Sequence, residues 1–284
     1  ADGFLFPDTV TRLAEQRPNF PVLLGNVRDE MTGFINPDVV QDTPNALSDL
    51  SVFNSSNFST FLNITFPYLS GKSSLLADII RSVYMRAREI PEDDHLEWFK
   101  IAVEALGDMI FAGALRNDAT HYAANGNRDL FLYTYDYMSV FGGNVSFGGW
   151  RAVPHASELR FLWKYKFDWE PAAEAGTITE DDKAIADFLS DAWTSFAIKG
   201  KPSLDWPSVS SPEQMEFYRI TTPKGRFETQ YLENAHAVYN SVFPSLLGEF
   251  PVETTGPESQ KWLEEHYKPK IRAEYEKSLK CDAV

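Results

Sequence analysis

The chain has 284 residues, 43% apolar and 14% aromatic, enough for one large domain or two ordinary ones with a real core. Acidic residues outnumber basic ones 41 to 26, the net charge is −15, and Lys and Arg form no stripe, which argues against nucleic acid or an anionic membrane as partner. No apolar run approaches the roughly 18 residues that a membrane span needs, and no signal-peptide pattern opens the chain.

Taken in order, a short apolar-periodic piece around Val10, Leu13 and Ala14 leads to the run Val22-Leu23-Leu24-Gly25. That run is too short for a helix and does not alternate, so it predicts a parallel strand buried on both faces. In open α/β sheets ligands bind at the carboxyl ends of such strands, which makes the loop from Gly25 to Asp29 and Glu30 a place for chemistry. Taken alone, an Asp-Glu pair is most often solvated.

From Thr32 to Pro67 the sequence is rich in Asn, Ser, Asp and Phe without a sustained period and predicts surface loop with short helices. It carries three of the four N-x-[ST] sequons, at Asn54, Asn57 and Asn63; the fourth is at Asn144. Three sequons so close together favour a secreted, extracellular glycoprotein. The opening at Ala1 without a Met fits a processed or partial polypeptide whose signal was removed upstream.

Helical patterning follows. Leu75, Ile79 and Val83 recur at four, and Leu96, Phe99, Val103, Leu106 and Ile110 give a second, longer apolar face. Leu130 to Tyr135, after the Asn125-Gly126-Asn127 turn, predicts a strand. A flexible Gly-rich loop from Gly142 to Gly149 then delivers the chain to Val153-Pro154-His155. The clearest helix runs from about Asp181 to Lys199, with Thr179 and Asp182 resembling a capping box and Gly200 and Pro202 ending it. Met215 to Ile220 and Phe227 to Tyr231 predict short strands, Leu232 to Val242 a helix, and a charged helix broken at Pro269 finishes the chain. Strands separated by helices point to a mixed α/β fold. The single cysteine, Cys281, cannot make an internal disulfide, and its place in a tail favours a bridge to another chain, including a second copy of this one, over a free thiol.

Of the five histidines, His95 and His266 are expected to be solvated, and His121 and His236 to be packing or surface residues in helices. His155 differs: it follows a Gly-rich loop and Pro154 and precedes a helix start with Glu158 in its first turn. A loop histidine beside a buried strand is a reasonable general base, because its unperturbed pKa lies near neutrality. An acid at Glu30 followed far downstream by His155 fits the Ser, Asp or Glu, His order of the α/β-hydrolases. The nucleophile's G-x-S-x-G is absent. Gly71-Lys72-Ser73-Ser74-Leu75 lacks the closing Gly, lies between acid and base, and is no P-loop either, since Phe66 stands where a Gly is required. No cofactor or metal site is expected.

Val22 to Gly25 through Asp29-Glu30, Gly107-Asp108-Met109-Ile110-Phe111, and His155-Ala156-Ser157-Glu158-Leu159 resemble the carboxyl-terminal half of the type-B carboxylesterases and cholinesterases. The likeness continues through Asp191 to Phe196 with Gly200-Lys201-Pro202, and through Leu232-Glu233-Asn234 to Val242-Phe243-Pro244. The opening Asp2 to Asp8 is similar to the segment leading into the acid strand.

The resemblance implies the carboxyl-terminal part of an α/β-hydrolase fold, a mixed, mostly parallel sheet flanked by helices and completed by a second chain. Residues 1–284 would then be one portion of one such domain, with about 246–284 as a helical tail. Glu30 matches the family's triad acid, His155 its triad base, and Glu158 an acid beyond that base. Phe34 falls in the acyl pocket. Gly33 stands where cholinesterases place a choline-stacking aromatic, so selective acetylcholine hydrolysis is not expected, and Met31 departs from the usual Asp-Glu-Gly. The internal disulfide that cholinesterases carry in this half is missing. The serine elbow and oxyanion glycines of the family precede residue 1, so the resemblance implies a proteolytically processed two-chain ester hydrolase. Its amino-terminal half, with G-x-S-x-G, is an obligate partner. The alternative is a non-catalytic, cholinesterase-like adhesion or binding protein.

Overall fold

The computed structural model describes residues 10–35, 53–65, 73–86, 88–139, 141, 146–147, 149–203, 205–223 and 225–247. In chain order, α1 (Val10–Ala14) leads into β1 (Val22–Val27), and a 3-10 turn spans Glu30–Gly33. Then come α2 (Ser55–Thr65), α3 (Ser73–Met85), α4 (His95–Gly107), a π-helical turn (Asp108–Ala112) and α5 (Gly113–Ala124). β2 (Leu130–Tyr135) is followed by the hairpin of β3 (Ser146–Phe147) and β4 (Trp150–Arg151), then α6 (Ser157–Trp163), α7 (Lys166–Glu174) and α8 (Glu180–Lys199). β5 (Phe217–Ile220), β6 (Arg226–Glu228), α9 (Glu233–Ala235), a π-helical stretch (His236–Val242) and α10 (Phe243–Leu247) complete the described chain.

The main sheet has the order β1-β2-β5-β6; β1 and β5 pair parallel to β2, and β6 pairs antiparallel to β5. The parallel neighbours are joined through helices, as a parallel crossover requires. Alternation along the strands feeds two apolar layers. On one face Val27, Phe131, Tyr133 and Ile220 pack against Ile185, Leu189 and Ala192 of α8. On the other, Val22, Leu130, Leu132 and Phe217 meet Ala119 and Tyr122 of α5. Each such side chain contributes about 1.5–3 kcal/mol on full burial, so the sheet is sealed by helices on both sides. At Gly25 the register leaves no room for a side chain: a Cβ there would lie 2.2 Å from the ring of Tyr133, its partner across the ladder.

α8 keeps the predicted ends. Thr179 Oγ1 accepts from Asp182 N at 3.1 Å, Asp182 Oδ2 accepts from Thr179 N at 2.8 Å, and Gly200 closes the helix at φ 75°. Asp182 also accepts from Tyr137 Oη at 3.0 Å and from Ser139 Oγ, which pins the segment after β2 to the start of α8. Burial works against this carboxylate's charge, but the hydrogen bonds from Ser139, Thr179 and Tyr137 outweigh it and hold its pKa below the usual aspartate value.

Several expectations are corrected. In α3 the buried stripe is Leu76, Ile80 and Tyr84, while Leu75 is exposed. Apolar residues stand side by side at each turn there, so a period of four fits two adjacent stripes and cannot choose between them. Along α4, Phe99, Val103 and Leu106 are buried, but Ile110 is exposed, because the π turn adds a residue and rotates the face. β5 starts at Phe217 rather than Met215. The pairing of β6 ends at Glu228, and Tyr231 is a buried core residue outside any strand. Leu232 takes a left-handed conformation at φ 51° and precedes the helix that was expected to include it. His95 is not left to solvent: its Nδ1 lies 2.8 Å from Phe53 O.

The chain divides into two compact units, Ala1–Asn240 and Ser241–Val284. In the second, Ser245 Oγ donates to Ser241 O at 2.7 Å in the helical turn at its start. The opening Asp2 to Asp8, Gly71-Lys72, Asn144, His266, the charged terminal helix and Cys281 lie outside the described residues, as does the tail beyond residue 247. Among the described residues no helix is long and apolar enough to cross a membrane.

Candidate active site

β1 ends at Val27, and the chain turns at once into the 3-10 turn that begins with Glu30. Glu30 is 6% exposed and uses both carboxylate oxygens: Oε1 accepts from Val27 N at 2.9 Å, and Oε2 lies 2.6 Å from Nδ1 of His155. The backbone bond fixes the carboxylate against its own strand, and its second oxygen is thereby aimed at the imidazole. The His155 side chain is 45% exposed, and Nε2 has no hydrogen-bond partner among the described residues.

Asp29 joins the two segments. Its backbone N donates to Val153 O at 3.0 Å, and its Oδ2 accepts from Val153 N at 2.7 Å. The same carboxylate oxygen holds the Arg28 guanidinium, and Arg28 Nη2 reaches Arg151 O at 2.7 Å. The acid loop and the histidine loop are thus stitched together two residues before His155. A solvated Asp29 was the ordinary expectation; its actual role crosses from one loop to a distant one and leaves no local mark. Immediately after His155, Ala156 takes φ 63°, unusual for a residue with a side chain, and starts α6.

Glu158 lies in the first turn of α6, and its Oε2 is buried without a hydrogen-bond partner among the described residues. Burial raises its pKa; the Glu30 carboxylate adds to this, while its own backbone and His155 oppose it. Phe34, 49% exposed, has its ring centroid 5.4 Å from that of His155. Gly33 closes the 3-10 turn just before it, and Met31 is buried there, with its Cγ 3.9 Å from where a side chain on Gly107 would begin. Phe111, not singled out from sequence as a site residue, approaches closer still, 5.0 Å from the imidazole centroid at 31°. His155 also borders an open cleft of about 320 Å³ with Tyr137, Met138, Arg160 and Phe167.

Asn54 and Asn57 sit at the start of α2. Asn54 Oδ1 accepts from Ser56 N at 3.0 Å and Asn57 N at 3.3 Å, and Asn57 Oδ1 accepts from Asn54 N at 3.1 Å. Asn63 lies further along the same helix. Neither Asn54 nor Asn57 belongs to the His155 cluster.

Asp108, first residue of the π turn, accepts a hydrogen bond from Tyr84 Oη at 2.8 Å. Desolvation pushes its carboxyl up to about 7; Glu104 adds to this, while the Tyr84 hydroxyl and Arg86 oppose it. Because the folded state holds this proton more tightly than an unfolded chain with its ordinary pKa near 4, stability falls as pH rises from about 4 to about 7 and is level above. In Asp108→Asn that component of the decline is absent, measured as the denaturation midpoint against pH.

A mostly parallel sheet flanked by helices, with the strand-end loops of β1 and β2 meeting at its carboxyl edge, is the architecture of an α/β-hydrolase. The carboxylesterase family model matches residues 1–239, and the chain belongs to that family. Membership supports an ester hydrolase of the esterase type. No curated protein gives a significant match to the chain.

Proposed function

We propose that this chain supplies the base and the orienting acid of a serine carboxylic-ester hydrolase. In this reading the nucleophilic serine comes from G-x-S-x-G in the amino-terminal half of the same hydrolase, carried by a partner chain. The observation that supports it best is the 2.6 Å contact of Glu30 Oε2 with His155 Nδ1 on an imidazole whose Nε2 is unbonded among the described residues. Nδ1–H donates to Glu30, which fixes the tautomer and leaves Nε2 as the basic nitrogen.

As the serine oxygen attacks the ester carbonyl, Nε2 takes its proton, and Glu30 stabilises the imidazolium without itself being protonated. The imidazolium then returns the proton to the departing alkoxide, leaving an acyl-enzyme. Water attacks the acyl-enzyme with Nε2 again as base, and the carboxylic acid leaves. Glu158 stands beside this pair as a further acid. Phe34 lines the acyl side, and Gly33 offers no aromatic ring for a choline group.

The partner reading also draws support from β1, whose edge away from β2 pairs with no described strand and offers backbone donors and acceptors to an incoming one. Secretion and glycosylation at Asn54, Asn57, Asn63 and Asn144 belong to the same proposal. The caps at Asn54 and Asn57 use the amide oxygens, whereas a glycan takes the nitrogen. Cys281 is assigned to an intermolecular bridge.

Fluorophosphonate labelling of the assembled protein tests the function. The expected result is a tag on the partner's serine that disappears with His155→Ala. A tag of full strength in that variant removes His155 from the mechanism, and a Gly or Asn at the partner's elbow turns the reading toward adhesion.

A further inference from the structure

We infer that Phe111 is a positioning residue for the His155 imidazole, and that the π turn that carries it exists to place its ring there. The contact is a property of the fold; only its kinetic consequence rests on the proposed esterase reading.

The hydrogen bond to Glu30 fixes one nitrogen of the imidazole, but with the Cβ–Cγ bond as the only other anchor the ring can still rock about the line joining the two. Two phenyl rings close the remaining freedom. Phe111 lies 5.0 Å from the imidazole centroid and Phe34 5.4 Å, and the two phenyls are 6.0 Å apart at 30°. Neither is an ordinary core residue: Phe34 is 49% exposed, Phe111 is half-buried, and its neighbour Ile110 is 47% exposed. Rings left this open contribute little by burial, yet they converge on one side chain.

The helix is distorted to bring Phe111 there. Between α4 and α5 the backbone widens by one residue, with Gly113 N–H donating to Asp108 O five positions back. A π turn is less favourable than the helix on either side and persists where surrounding contacts impose it, often at functional sites. Here the contacts are on hand. Tyr84 Oη holds Asp108, Tyr239 Oη donates to Ala105 O at 2.8 Å, and Asn240 Nδ2 donates to Gly113 O at 2.9 Å. Gly113 has no Cβ where one would lie 3.1 Å from Asp108 O and 3.2 Å from Tyr239 Cβ. The turn is held from two elements, by Tyr84 of α3 and by the adjacent Tyr239 and Asn240, and Phe111 is the residue it turns toward His155.

The test uses the assembled protein with labelled histidine, comparing Phe111→Leu and Phe111→Tyr with the parent. A phenyl ring at this distance shifts the imidazole C–H resonances of His155, assigned by their loss in His155→Gln. The expected result is that Phe111→Leu removes the Phe111 contribution to the ring-current shift, leaving that of Phe34, and lowers kcat by about 10- to 100-fold, the scale of a small misplacement of a catalytic group. KM stays within about twofold, and Phe111→Tyr restores both shift and kcat. An unchanged resonance in Phe111→Leu overturns the contact. A lost shift with parental kcat overturns positioning. A fall in kcat that tracks a lowered melting temperature and is not restored by Tyr assigns the ring to stability alone. Failure of the esterase reading is separate: it is read from His155→Ala, whose retained turnover would leave the resonance result for Phe111 standing.

Discussion

On the proposed reading, His155→Ala in the assembled enzyme lowers ester turnover by about 10⁴- to 10⁶-fold while leaving substrate affinity and folding nearly unchanged. The size follows from what the imidazole does. In the proposed mechanism it accepts the serine proton and returns it to the leaving alkoxide, and without it the hydroxyl attacks in its neutral, weakly nucleophilic form. The side chain is 45% exposed, so its removal opens little cavity and the folded state survives. Glu30→Gln is the companion: the amide still fills the space but cannot hold the tautomer or stabilise the imidazolium, so kcat falls with KM preserved. Steady-state hydrolysis of a chromogenic ester checks both. Turnover within tenfold of the parent in His155→Ala would assign the chemistry elsewhere.

Gly25→Ala has the largest expected effect on stability. The new methyl would start 2.2 Å from Cδ1 and Cε1 of Tyr133, and this ring cannot step aside, since it packs edge-on against Trp193 at a centroid distance of 5.0 Å. Either the β1–β2 ladder separates or the aromatic layer beneath α8 rearranges, at a cost of about 1–3 kcal/mol or more. Two residues further along the strand, Val27 N holds Glu30, so the same substitution displaces the acid. A lowered denaturation midpoint together with reduced turnover is expected. A midpoint equal to the parent's would mean that Tyr133 has another place to go.

What could be read from the residues and what could not divide along a physical line. β1, β2 and α8 were legible because their signals are local: a short apolar run, a strand after an Asn-Gly turn, a capping box with a terminal glycine. Glu30 and His155 emerged from order along the chain and from family resemblance. Asp29 was hidden, because its partners at Val153 stand far away in sequence. Phe111 was hidden for a different reason. It follows Ile110, which read as the end of a regular apolar helix face, and a π turn has no marker in composition or period. The buried stripe of α3 was misplaced by one residue, since hydrophobic neighbours at every turn made two faces equally good.

The stitching of Asp29 to Val153 has a consequence for how activity begins. Glu30 and His155 are locked in mutual orientation by contacts within one chain, so their alignment needs no rearrangement if, as proposed, a complementary half completes the site. On the proposed two-chain reading, onset of hydrolysis on mixing the halves is a bimolecular event whose speed scales with concentration.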